Sequence, residues 1–216
     1  MSERTIDRMR LTFSVGDEVK YISHLDLLRA WERILRRAGL PLAYSQGFNP
    51  HPRIVIAMPL PVGCTGANEM VDVYLEEVLD PASVIAALAP ALPVGIGVSS
   101  AIRALTGDPA LPNQISGAEY RLSLAEVSLE NVSQRVDELL AMERCQVEFR
   151  RKTYDLRPLI GPLSVHTDGG WTVIEALLLR SASGRIGRPD VLLEALDLAA
   201  HVRGVHREQI VFGEAG

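Results

Sequence analysis

At 216 residues, with 47% hydrophobic, 23% charged and 5% aromatic side chains, the chain has the make-up of a folded globular protein able to bury a core, which excludes a disordered, collagenous or fibrous product. The length suits two small domains. Twenty-two Lys and Arg against 27 Asp and Glu leave a formal charge of −5, which excludes a uniformly basic protein that coats nucleic acid by bulk electrostatics, so any phosphate binding has to be local.

In chain order, Arg8 to Val15 alternates with Met9, Leu11, Phe13 and Val15 on one side, and Val19 to Ile22 follows the Gly16-Asp17 turn, which predicts a strand or a short hairpin. Ser23 before His24-Leu25-Asp26 makes a Ser-x-x-Asp capping box, and Gly39 with Pro41 closes the far end of a predicted helix. Its apolar residues Leu27, Leu28, Trp31, Ile34, Leu35 and Ala38 recur at helical spacing, leaving Arg29, Arg33, Arg36 and Arg37 on or beside the opposite face. After the loop Ser45 to Pro52, the alternation in Arg53 to Met58 and in Glu69 to Leu75, joined by a Pro/Gly-rich connection, predicts a hairpin. Asp80-Pro81 opens a second helix through Leu88, and Pro93 to Ile102 reads as a last strand.

Glycines and prolines between Leu105 and Gly117 mark a linker, giving predicted halves at residues 1–104 and 118–216. The second half repeats the order: strand Tyr120 to Val127, helix Leu129 to Ala141, strand Gln146 to Tyr154, strand Trp171 to Leu179 after the Gly169-Gly170 turn, helix Pro189 to Ala200, and a strand near Gln209 to Phe212. The expectation is an α+β fold of two tandem ferredoxin-like (split β-α-β) halves, each with two helices on one face of a four-stranded antiparallel sheet and the other face free to bind.

Only two cysteines occur, Cys64 and Cys145, too few for a disulfide framework, a four-cysteine zinc site or, in this chain alone, a radical SAM cluster or C-x-x-C redox pair. Free thiols, no cofactor and no metal are expected. The segment Met1 to Arg10 is polar with both signs of charge, and no apolar run approaches the roughly 20 residues that span a bilayer, so the sequence predicts a cytoplasmic protein without membrane contact.

Charge is unevenly placed. Residues 1–60 carry nine basic and six acidic side chains, residues 61–115 one and six, and residues 116–216 twelve and fifteen. A second basic stretch gathers Arg144, Arg150, Arg151, Lys152 and Arg157 against Glu148 and Asp155. Twenty of the 22 basic residues are Arg, whose planar fork suits phosphates and base edges. A GC-rich genome also favours Arg, so the stripe Arg29, Arg33 and Arg36 reads either as a phosphate contact or as a solvated helix face.

The most specified segment is Tyr44-Ser45-Gln46-Gly47-Phe48-Asn49-Pro50-His51-Pro52-Arg53. Its prolines stiffen it, and Ser45, Gln46, Asn49, His51 and Arg53 are interleaved with Tyr44 and Phe48, a combination that can stack on a base and hydrogen-bond its edge. The alternative is a tight connection with Phe48 plugging the core. His24, Asp26 and His51 are together the residue types of a two-histidine, one-carboxylate metal set, although capping already explains Asp26. His24 or His51 could serve as general acid in RNA cleavage, with no partner evident in the sequence. Finally, Ser181 to Asp190 links a strand to a helix N-terminus and carries Arg185 and Arg188, which suits an anion but lacks the Walker A and dinucleotide patterns.

The run Tyr21-Ile22-Ser23-His24-Leu25-Asp26, the arginines at 33, 36 and 37, the stretch from Tyr44 to Pro52 and the later Tyr154-Asp155-Leu156-Arg157-Pro158 resemble the radical SAM-linked family of bacterial proteins, over most of the chain. Members occur free or joined to cobalamin-binding radical SAM proteins, often encoded near ribonuclease E/G and ribosomal protein genes. The resemblance implies an RNA or radical SAM context, a radical SAM enzyme as partner, and no catalytic residues. Tandem split β-α-β halves also look like the CRISPR repeat-processing proteins, at fold level only. The leading expectation is a non-catalytic RNA-binding or substrate-presenting accessory protein, probed at Arg29, Arg33, Arg36, the 44–53 loop, Arg185 and Arg188. The rivals are a ribonuclease using His24 or His51, and a pure protein-protein adaptor.

Overall fold

The structure is a computed structural model that describes residues 6–104 and 107–213. It is a mixed α/β architecture whose strands pair antiparallel, and it divides into two compact units, the first running to Gln114 and the second starting at Ile115. The predicted linker begins at Leu105 and Thr106, which lie outside the described residues, as do residues 1–5 and 214–216 of the predicted halves. Its last part has regular structure: Leu111–Gln114 is a 3-10 turn, and Ile115 to Gly117 already belong to a strand. Gly117 reads as flexible in sequence, yet a Cβ there would meet the Leu178 carbonyl oxygen at 2.6 Å, so glycine serves close strand approach.

The first unit contains β1 (Asp7–Val15), α1 (His24–Arg37), β2 (Ile54–Ile56), β3 (Cys64–Leu75), α2 (Pro81–Leu88) and β4 (Ile96–Arg103). β1 pairs antiparallel with both β3 and β4, and β2 pairs with β3, which gives the order β4-β1-β3-β2. Met9, Leu11, Phe13 and Val15 point to one face because strand side chains alternate, and there they join Leu27, Trp31, Ile34 and Leu35 of α1 and Val84 and Leu88 of α2 in one core. Trp31 meets Phe13 edge-on, with ring centroids 5.0 Å apart.

Helix α1 starts where the capping residues place it. The Asp26 N–H donates to Ser23 Oγ at 3.2 Å, and the Ser23 hydroxyl donates to the Asp26 carboxylate at 2.7 Å. It stops at Gly39, whose φ of 69° allows the Gly39 and Leu40 N–H groups to donate back to Arg36 and Leu35. Val19 to Ile22 form successive turns rather than the predicted strand, with the Val19 N–H donating to Gly16 and that of Ile22 to Val19.

The second unit contains β5 (Ile115–Leu124), α3 (Leu129–Ala141), β6 (Gln146–Phe149), β7 (Lys152–Asp155), β8 (Ile160–Asp168), β9 (Trp171–Leu179), α4 (Pro189–Ala195) and β10 (Val202–Phe212). Its sheet runs β10-β5-β9-β8, antiparallel throughout, over a core that includes Tyr120, Leu122, Leu124, Val132, Val136, Ile174 and Leu178. Two predictions need correction here, and one strand was not predicted. Gln146 to Tyr154 is not a sheet strand: it falls within the separate two-stranded hairpin of β6 and β7, turned at Arg150 and Arg151. The sheet strand is β8, hidden in sequence by Gly161-Pro162, and tolerated there because the β8–β9 register shifts between Ile160 and Leu163. The helix from Pro189 ends at Ala195, since Asp197 takes φ 53°. Among the described residues no helix is long and apolar enough to cross a membrane.

Candidate functional site

The loop from Tyr44 to Arg53 is closed at its base by backbone hydrogen bonds. Tyr44 and Pro52 form a bridge, the Ser45 N–H donates to the His51 carbonyl at 2.8 Å, and the His51 N–H returns to Ser45 Oγ at 3.1 Å. Below them the Ala43 N–H donates to Tyr74 and the Tyr74 N–H to Arg53, which anchors the loop on β3. Above the clasp, Gln46, Gly47, Phe48, Asn49 and Pro50 are exposed, and Gly47 at φ 146° uses backbone that a side chain resists. Phe48 is fully exposed, so the core-plug alternative is wrong: the ring buries nothing. The ring therefore stands wholly in water at the tip of a clasped loop.

Arg53, the last residue of this segment, lies with its guanidinium 4.2 Å over the Tyr74 ring and forms no ion pair among the described residues. Both residues line a surface cleft with Arg8, Arg103 and Asp108. Arg8 donates to the Asp108 carbonyl at 3.2 Å, and Arg103 approaches Asp7 at 3.1 Å. Beside them Arg10 forks onto Asp72 at 2.8 and 3.0 Å, and these hydrogen bonds raise the arginine's pKa above its already high value. Arg8, Arg10, Tyr74 and Asp72 stand on the sheet face opposite the helices, as their cross-strand register requires. No sequence motif announced this cleft; only the pairing of β1 with β3 assembles it.

The arginines of α1 are exposed, as expected from their spacing. Arg29 pairs with Asp26 at 3.0 Å, Arg36 reaches Glu32 at 3.9 Å, and Arg37 donates to the Ala91 carbonyl, whereas Arg33 has no polar partner among the described residues. None of these bonds runs to the 44–53 loop. The Ser23 hydroxyl first, and Arg29 second, hold the Asp26 carboxyl below the ordinary aspartate range. Asp26 is therefore engaged as cap and ion pair. His24 is half-buried with its Nδ1 shielded and without a hydrogen-bond partner, while His51 is exposed on the loop. Among the described residues no three His, Cys, Asp or Glu side chains gather as a metal set.

In the second unit, Arg188 forks onto Asp190 at 2.9 and 2.8 Å, and Pro189 at the first turn of the short α4 offers no N–H. Arg185 and Arg188 turn to the β6–β7 hairpin, 4.0 Å over Tyr154 and 4.5 Å over Phe149. The Tyr154 to Pro158 motif is largely structural. Asp155 accepts the N–H groups of Cys145 and Arg157, Leu156 is buried, and Arg157 donates to the carbonyls of Ile160 and Leu140. Both cysteines are buried and neither is in a disulfide, and the Cys64 thiol donates to the Thr65 carbonyl at 3.3 Å.

The chain is similar in fold to a chain of the Cbf5-Nop10-Gar1 complex, at a TM-score of 0.50 and 13% identity; the similarity covers 97% of this chain, which spans half (50%) of the length of the other. An unknown protein from Galdieria sulphuraria is similar at a TM-score of 0.28 and 17% identity, covering 91% of this chain and 90% of the other. No curated protein matches the chain. Residues 8–189 match the model of a family described as "Uncharacterized protein conserved in bacteria (DUF2344)", and the chain belongs to that family.

Proposed function

We propose that the protein is a non-catalytic RNA-binding or substrate-presenting accessory protein, with its contact surface at the 44–53 loop and the arginines of α1. The observation that carries this reading is the fully exposed Phe48 on a loop clasped between Ser45 and His51. A ring held out in this way can stack on an unpaired base, while Arg33, free of carboxylates, and Arg36 supply phosphate contacts. The strand orders β4-β1-β3-β2 and β10-β5-β9-β8 support reading each unit as a ferredoxin-like split β-α-β module, the second with a hairpin inserted after α3. The working partner in this proposal is a radical SAM enzyme acting on tRNA or rRNA, which the sequence resemblance supports.

The test is the binding of short single-stranded RNA, followed by fluorescence anisotropy over a salt series. Arg33→Ala with Arg36→Ala should flatten the slope of log affinity against log salt by about 0.7 for each lost contact. Phe48→Ala should cost about 1 to 3 kcal/mol of binding. If the wild-type protein shows no salt-dependent affinity for RNA, the proposal fails, and cleavage of the RNA would replace it with the ribonuclease reading.

A further inference from the structure

The register of β6 and β7, from Gln146↔Asp155 to Phe149↔Lys152, leaves Arg150 and Arg151 as a two-residue turn. Both sit at positive φ, 51° and 62°. Two-residue hairpins demand such backbone, and Asn-Gly supplies it readily, whereas an Arg-Arg pair takes it against the steric preference of its Cβ atoms. An outlier of this kind asks for a reason outside folding.

Directly paired residues share a face, so Val147, Phe149, Lys152 and Tyr154 lie on one side of the hairpin and Glu148 and Thr153 on the other. Onto the aromatic side come Arg185, over Tyr154, and Arg188, over Phe149, while Arg150 lies 5.2 Å from the Phe149 ring. Such a guanidinium is oriented by the ring and keeps N–H edges for a two-pronged bond to an anion. The rings are occupied in holding cations, which leaves the cations as the binding groups. Arg188 is neutralised by Asp190, and Asp155 is committed to backbone N–H groups. Arg150, Arg151, Lys152 and Arg185 form no ion pair among the described residues. Four unneutralised cations, three of them consecutive across one turn, match a row of phosphates better than a single carboxylate.

We infer that the β6–β7 hairpin and Arg185 form a second RNA contact, one that grips the phosphodiester backbone without reading sequence. It rests on the RNA-binding reading above. The probe is single-stranded homopolymeric RNA, oligouridylate and oligoadenylate in turn, titrated over a salt series with the full chain. Arg150→Asn with Arg151→Gly keeps the turn and should keep or raise thermal stability, while the salt slope falls by about 1.4, two contacts at 0.7 each, for both homopolymers. Arg150→Lys with Arg151→Lys should retain the slope. If the Asn-Gly variant binds with wild-type affinity and slope while Phe48→Ala weakens binding, the hairpin contact is refuted and the RNA reading stands. If wild-type protein binds neither homopolymer at low salt, both fall. Competition by polyglutamate as effective as that by RNA would overturn the assignment to phosphates.

Discussion

Replacing Asp72 by Ala should be among the most damaging single changes in the first unit. Its carboxylate is 1% exposed, receives both prongs of Arg10 at 2.8 and 3.0 Å, and stands 3.8 Å from Arg8. Two unit charges about 4 Å apart at an effective dielectric constant near 20 attract by roughly 4 kcal/mol. That agrees with the usual cost of about 3–5 kcal/mol for removing one member of a buried pair, most of it the penalty on the guanidinium left behind. A domain stable by about 5–15 kcal/mol can lose much of its margin to such a change. The converse follows from the same physics: Arg10→Met combined with Asp72→Leu removes both charges and should return most of the stability. Urea unfolding read by Trp31 fluorescence measures this, because Trp31 is 0% exposed whereas Trp171 is 42% exposed and can be replaced by Phe in the background. A loss below about 1 kcal/mol for Asp72→Ala, or a double variant as weak as the single one, would refute the reasoning, since surface pairs behave in that way.

Burial first, and the Asp155 charge second, push the Cys145 thiol above its ordinary value, and Cys64 is 1% exposed, so both thiols should react with a thiol reagent at neutral pH only after unfolding; fast reaction of the native protein would contradict this. Asp155→Ala removes the acceptor for the Cys145 and Arg157 N–H groups and should cost about 1–3 kcal/mol, with faster tryptic cleavage at Arg150 and Arg151 as the readout. Asp26 has its carboxyl pKa lowered by Ser23 and Arg29, so its contribution to the α1 cap is present above the unfolded aspartate value of about 3.9 and is lost as pH falls through its lower folded value. Circular dichroism on acidification should therefore show a step that Asp26→Asn lacks.

What could be read from residues alone was whatever local physics decides. The Ser23 cap, the Gly39 stop and the apolar spacing of Leu27, Trp31, Ile34 and Leu35 define α1, and the spacing of Val132, Val136 and Leu139 defines α3, without reference to the rest of the molecule. The alternation of β1 likewise marks one buried face. The 44–53 loop stood out by composition, but whether Phe48 faced core or solvent depended on the clasp of Ser45 with His51, a pairing across the loop that no residue announces. The hairpin of β6 and β7 escaped notice because Arg-Arg is not a turn signature, and β8 because Gly-Pro normally breaks a strand. In both places backbone pairing overrode local preference. Arg53 on Tyr74, Arg10 on Asp72 and Arg185 on Tyr154 join residues distant in sequence. Only tertiary structure could decide those contacts, because strand register and loop closure set which side chains meet, and both are cooperative properties of the folded chain.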